Sequence, residues 1–252
     1  VRYGLHYMFS DDNVFEDNVF ERGAAGSAIM YSERIVFRRN RFVHNRGFAS
    51  VGLLLQQCDD VLAEHNLIAD NARGVFLEGT NRVTFRGNVV AQSDAAIVLF
   101  ASAMGTRFDG NTFVGNMSPL NLVGKRVDLD VDGNYWSDNL EPDLDGDGRS
   151  DGPYRLDNVF DHFRGNLTAA DLFSDGFAAV ALSAAERSFP VLAPVAVVDR
   201  APLARPLPLP DVPMQTGDAG PRHAPSLAVY ALAAALGAAT LMRGRAPRGG
   251  GR

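Results

Sequence analysis

At 252 residues, 46% of them hydrophobic, the chain is long enough to bury a sizeable core in one elongated domain with a tail. Its net charge of −6 is spread along the whole length, which gives no electrostatic footing for a phosphate backbone and argues against nucleic acid as a partner. A single cysteine, Cys58, excludes an internal disulfide and any thiolate metal cluster.

The chain opens on Val1 with no basic, apolar leader ahead of the first pattern. Any secretion signal is therefore expected to have been cut away or to lie upstream, and the chain reads as a C-terminal fragment. From residue 13 a unit of the form apolar-x-apolar-x-x-Asn-x-apolar recurs as NVFEDNVF, IVFRRNRF, VLAEHNLI, VTFRGNVV, TRFDGNTF and LDVDGNYW. Its asparagines, Asn18, Asn40, Asn66, Asn88, Asn111 and Asn134, are spaced by 22, 26, 22, 23 and 23 residues. A fixed period of this size marks a solenoid. The one long interval carries RGFAS, Arg46 to Ser50, as an inserted loop.

Each unit holds a second apolar run that starts at a glycine or small residue: GLHYM, GSAIM, GLLLQ, GVFLE and AIVLF. Both runs alternate with period two, so each predicts a short strand with one face buried. A unit of about 22 residues is too short for a strand and a crossover helix. The prediction is an all-β fold, a right-handed parallel β-helix, over residues 1–160. Two columns should line its interior: Phe15, Phe37, Ala63, Phe85, Phe108 and Val131 before the asparagines, and Phe20, Phe42, Ile68, Val90, Phe113 and Trp136 after them. The asparagines should occupy turns, where stacked amides form ladders.

In the second run Leu5, Tyr7, Ile29, Leu53, Leu55, Val75, Leu77, Ile97 and Leu99 should point inward, which turns the alternate residues outward. His6 and Met8 then share one face, and Met30 sits one coil away at the position equivalent to Met8. An imidazole and two thioethers suit Cu(I), and a site without cysteine could hold the ion loosely enough to pass it on. The other reading is that the methionines fill surface gaps. Leu54, Phe76, Val98 and Phe100 extend this face as an apolar stripe, either a docking surface or a surface covered by another part of the chain.

After the last coil, DLDGDGRSD places Asp143, Asp145, Asp147 and Asp151 at the spacing of the first nine positions of an EF-hand calcium loop. Tyr154 stands where the bidentate glutamate belongs, so a truncated structural calcium loop and a solvated acidic turn both fit. Residues 161–189 predict a helix, with Thr168 and Asp171 as a capping pair, covering the open end of the solenoid or docking on a membrane partner. Residues 190–225, with PLARPLPLP inside them, predict a semi-stiff linker. Residues 226–242 (SLAVYALAAALGAATLM) carry no charge, and the arginines of the 243–252 tail follow. That pattern predicts a transmembrane helix with a cytoplasmic tail; a buried or surface Ala-rich helix is the alternative.

Three stretches are distinctive: YGLHYMFSDDNVFEDN; GNYWSDN followed by the acidic loop and PY; and FPVLAPVAVVDRAPLARP. They resemble the NosD family, periplasmic maturation factors of nitrous oxide reductase, over the repeats and on to about Pro208. The resemblance implies a periplasmic β-helix that is not an enzyme. It implies partners too: an ABC-type ATPase, its membrane permease, a copper chaperone and nitrous oxide reductase, whose copper centres are assembled. It adds interest to copper at His6, Met8 and Met30, without assigning a family ligand to them. The alternatives are a β-helix polysaccharide lyase or epimerase and a structural surface repeat protein.

Overall fold

A coil of this length supplies three short strands joined by tight corners, and each strand finds its hydrogen-bonding partner on the next coil, not within its own. In the computed structural model, which describes residues 2–47, 50–124, 128–156 and 197–211, these strands pair in parallel from coil to coil. One face stacks Tyr3–Met8, the first halves of Ala25–Arg38 and Val51–Glu64, then Arg73–Glu78, Ala95–Phe100 and Ser118–Val123. A second stacks Val14–Glu16, the second halves of the same two long strands, Asn81–Arg86, Thr106–Asp109 and Leu129–Asp132. The third stacks Val19–Glu21, Arg41–Val43, Leu67–Ala69, Val89–Ala91, Thr112–Val114 and Tyr135–Trp136. This is the expected parallel β-helix, with no α-helix among the described residues.

The core follows from the alignment. Phe37, Ala63, Phe85 and Phe108 are paired in sequence along one column and are all 0% exposed. The other expected column pairs Phe42, Ile68, Val90, Phe113 and Trp136, also buried. Equal spacing along the axis lets flat rings lie face to face: Phe85 on Phe108 at 4.7 Å, and Phe113 on Trp136 at 4.3 Å. The glycines that open the second run are fixed by close approach. A Cβ on Gly26 would lie 2.5 Å from the Gly52 carbonyl oxygen, and one on Gly74 2.6 Å from that of Ala96.

The six asparagines form one amide ladder parallel to the axis. The Asn88 Oδ1 accepts from the Asn66 backbone N–H and Nδ2, both at 2.9 Å, while its own Nδ2 donates to Asn111 Oδ1 at 3.0 Å and to the Ala63 carbonyl at 2.8 Å. The same pattern links Asn18 to Asn40, Asn40 to Asn66, and Asn111 to Asn134. A buried amide is stable only when its donors and acceptor are matched, and the neighbouring coil supplies that match. A second ladder lies five residues on, where Asn45 pairs with Asn71 and Asn116 receives the Ser93 N–H.

Each ladder needs a terminus. The last donors of the first one, the Asn134 N–H and Nδ2, meet the carboxylate of Asp199 at 2.8 and 3.2 Å, and Trp136 Nε1 joins them at 3.1 Å. Asp199 is 0% exposed and belongs to Val198–Asp199, which pairs antiparallel with Tyr154–Arg155. Residues 197–211 fall within the expected linker, and their first part docks on the closing coil. The Leu203 N–H donates to the Asn134 carbonyl, and the Leu207 N–H reaches back to Thr112 Oγ1 at 3.0 Å. The expected helix at 161–189, the apolar segment at 226–242 and the tail at 243–252 lie outside the described residues. Among those described, no helix is long and apolar enough to cross a membrane.

Candidate functional site

The outward positions of the first face are set by the inward ones. Ile29, Leu53, Leu55, Val75 and Leu77 are 0% exposed, so their neighbours along each strand turn away from the core. Met8 pairs directly with Met30, and His6 pairs with Ala28 one step back along the strands. Adjacent strands lie about 4.8 Å apart, so the two methionines occupy neighbouring positions on one outward face, two residues along the strand from His6. Met8 is 38% exposed, and the exposed His6 ring stacks on Tyr3 at 4.9 Å. Next in the methionine column come Gln56 and Glu78, joined by a 2.9 Å hydrogen bond. The donor set fits a soft monovalent ion. Cys58 does not contribute to it: its thiol is fully buried and burial pushes it up to about 11.

The apolar stripe is aligned from coil to coil and is only partly open. Leu54, Phe76 and Val98 stack in sequence, and the Phe76 and Phe100 rings meet at 5.1 Å. Val98 is only 8% exposed, Ala28 in the same column is 0%, and Leu54, Phe76 and Phe100 are half-buried. The stripe is thus covered at Ala28 and Val98 and partly open at Leu54, Phe76 and Phe100.

In the acidic loop, one ligand atom each from Asp143, Asp145 and Asp147 lies within 4.8 Å of the others. The Asp143 carboxylate accepts the Gly146 and Gly148 N–H groups, which curls the loop around it. Asp151 is not brought into the trio; it accepts the Leu144 N–H at 2.7 Å.

One feature escaped the sequence reading. At the corner between the first two faces, Asp11, Glu33 and Asp59 line a shallow depression with Tyr31, Gln57 and Asn81. Asp12, Arg34, Asp60 and Arg82 follow them on successive coils, each in left-handed backbone. Arg34 and Arg82 bind Asp12 and Asp60, each at 2.6 Å, and hold both carboxyls below the usual aspartate range. The signal was present in the dipeptides Asp-Asp, Glu-Arg, Asp-Asp and Asn-Arg at the coil spacing, hidden because no single one resembles a motif.

A solenoid that presents soft donors and charged columns on outward strands and corners is a repeat scaffold whose surfaces are built to bind. Residues 1–165 match the family described as periplasmic copper-binding protein (NosD), and the chain belongs to that family. The family is periplasmic. Among its relatives, a protein of Stutzerimonas stutzeri named "Probable ABC transporter binding protein NosD" is 29% identical over 194 residues, which is 70% of this chain and 44% of the relative. A protein of the same name from Pseudomonas aeruginosa is 34% identical over 128 residues, 50% of this chain and 29% of that one. The chain thus spans less than half the length of either relative.

Proposed function

We propose that this chain is part of a periplasmic accessory protein for assembling the copper centres of nitrous oxide reductase. It works with an ABC-type ATPase and its membrane permease, and with a copper chaperone, and it handles Cu(I) at His6, Met8 and Met30. The observation that carries the reading is the direct pairing of Met8 with Met30 on an outward strand face, in a member of a copper-binding family. Thioether and imidazole donors without thiolate favour Cu(I) and permit its release. The ABC transporter association is printed in the relatives' names and is extended here to this chain.

An accessory role agrees with the corner carboxylates. Asp12 and Asp60 are lowered by arginine partners, the opposite of what a general acid requires. The apolar segment at 226–242 serves as an inner-membrane anchor with the 243–252 tail in the cytoplasm. The Asp143–Asp145–Asp147 loop takes a structural Ca²⁺, which would be seen as a calcium-dependent rise in melting temperature that is absent in Asp145→Asn.

Anaerobic Cu(I) titration against a chromophoric chelator tests the central claim. The unmodified chain should compete for the ion, and the His6→Ala/Met8→Ala/Met30→Ala variant should not. Equal competition by both would remove copper from this face. In cells, the same variant should lower the copper content of nitrous oxide reductase.

A further inference from the structure

The corner beside the methionines carries an apolar and charged pattern that the copper reading does not use. Phe9 and Tyr31 occupy the same corner of adjacent coils, are 73% and 46% exposed, and stack with ring centroids 4.9 Å apart and planes within 9°. In the next two coils that corner is Gln57 and Gly79, so the fold does not require a ring there. Exposed rings in contact across coils form a patch of the kind that marks an interaction surface.

What the patch accepts is decided by its charge. Asp11, Glu33 and Asp59 line the adjoining depression, and Asp12 and Asp60 flank it, with only Arg34 and Arg82 among them in return. Five carboxylates against two guanidiniums leave an excess of three negative charges. Among the described residues, only Asp143, Asp145 and Asp147 bring three ligand atoms within 4.8 Å, so the corner carboxylates are too widely spread to enclose one bare ion.

We infer that this corner docks a basic segment of a protein partner, with an arginine or lysine stem across Phe9 and Tyr31 and its cationic head among Asp11, Glu33 and Asp59. A long cationic side chain satisfies both halves of the surface, its methylenes and charge against the rings and its donors against the carboxylates. A neutral glycan leaves the excess charge unanswered, and an anionic one is repelled. The inference does not rest on the copper reading, because His6, Met8 and Met30 take no part in it.

Three probes decide it on the 252-residue chain: a fluorescein-labelled nonapeptide of arginine, phenylalanine and glycine, its glutamate-for-arginine counterpart, and unlabelled cellohexaose as competitor. The arginine peptide should bind by fluorescence anisotropy and weaken as NaCl rises from about 20 to about 300 mM, and the glutamate peptide should not bind. Tyr31→Gln, which installs the residue of the next coil, and Asp59→Asn, which keeps the acceptor for Asn81, should each weaken binding by about fivefold. Asp130→Asn, at an exposed residue on the last coil outside every proposed site, makes the same change in net charge elsewhere and should leave binding unaltered. Absence of peptide binding, equal weakening in Asp130→Asn, or displacement by cellohexaose would overturn the proposal.

Discussion

Substituting Asp199 by alanine removes the acceptor on which the closing coil depends. Its carboxylate takes five hydrogen bonds, from the Gly133 N–H at 3.0 Å, the Asn134 N–H and Nδ2 at 2.8 and 3.2 Å, Trp136 Nε1 at 3.1 Å and the Ala201 N–H at 3.3 Å. A buried donor left without a partner costs about 1–3 kcal/mol, and water admitted by the smaller side chain recovers part of that. A loss of about 3–6 kcal/mol is expected, concentrated at one end of the stack. Coils in a solenoid communicate only with their neighbours, so the damage should stay local. The protein carries its own local probe, because its only tryptophan, Trp136, lies between Phe113 and Tyr154 at 4.3 and 4.8 Å. In urea, the Trp136 fluorescence midpoint should fall by about 2 M, at a slope of about 2 kcal/mol per M, while the far-UV circular dichroism midpoint moves less. Fluorescence and dichroism curves of the variant that both superimpose on those of the parent would refute the role of Asp199 as the terminal acceptor.

Two further outcomes follow from the core and the surface. Phe85→Ala, at a position 0% exposed and stacked on Phe108, should cost about 3–5 kcal/mol, and an unchanged melting temperature would refute the column assignment. Asp12, Asp17 and Asp60 are lowered by their arginine partners, and Asp70 first by His44 and then by Arg46. A carboxyl lowered by folding contributes stability above its unfolded value and loses it as pH falls through the folded one. The melting temperature should therefore be flat from about pH 7 to 5, decline below about pH 4, and decline less steeply in high salt, which already screens these exposed pairs. A melting temperature that does not change below pH 4 would show that these pairs add nothing.

The features legible in the sequence were those that repeat. Asn18 through Asn134 announced the coil length, and the aromatic residues around them, with alternation in the second run, placed the core. The Met8–Met30 pairing followed from the same alignment, because a shared offset from Gly4 and Gly26 means a shared column. Asp199 could not be read this way. It lies 65 residues beyond Asn134 in a proline-rich stretch, and only the folded chain shows that its carboxylate ends the amide ladder. The acidic corner was missed for the opposite reason, since Asp11, Glu33, Asp59 and Asn81 differ in type and only their alignment makes them a group. For the apolar stripe the sequence left a docking surface and a covered one both open, because period two tells which way a side chain points, not what else covers it.

The amide ladder also determines how the molecule would resist force. Its hydrogen bonds point along the axis, so a pull applied through the C-terminal end meets the bonds made by Leu207 and Leu203, then those to Asp199, and the next coil only after they break. The load passes through the coils in series. Extension should then proceed in steps, each releasing one coil of 22 or 23 residues, or about 7–8 nm of chain. The 26-residue coil that carries Arg46 should give one longer step near the far end of the trace.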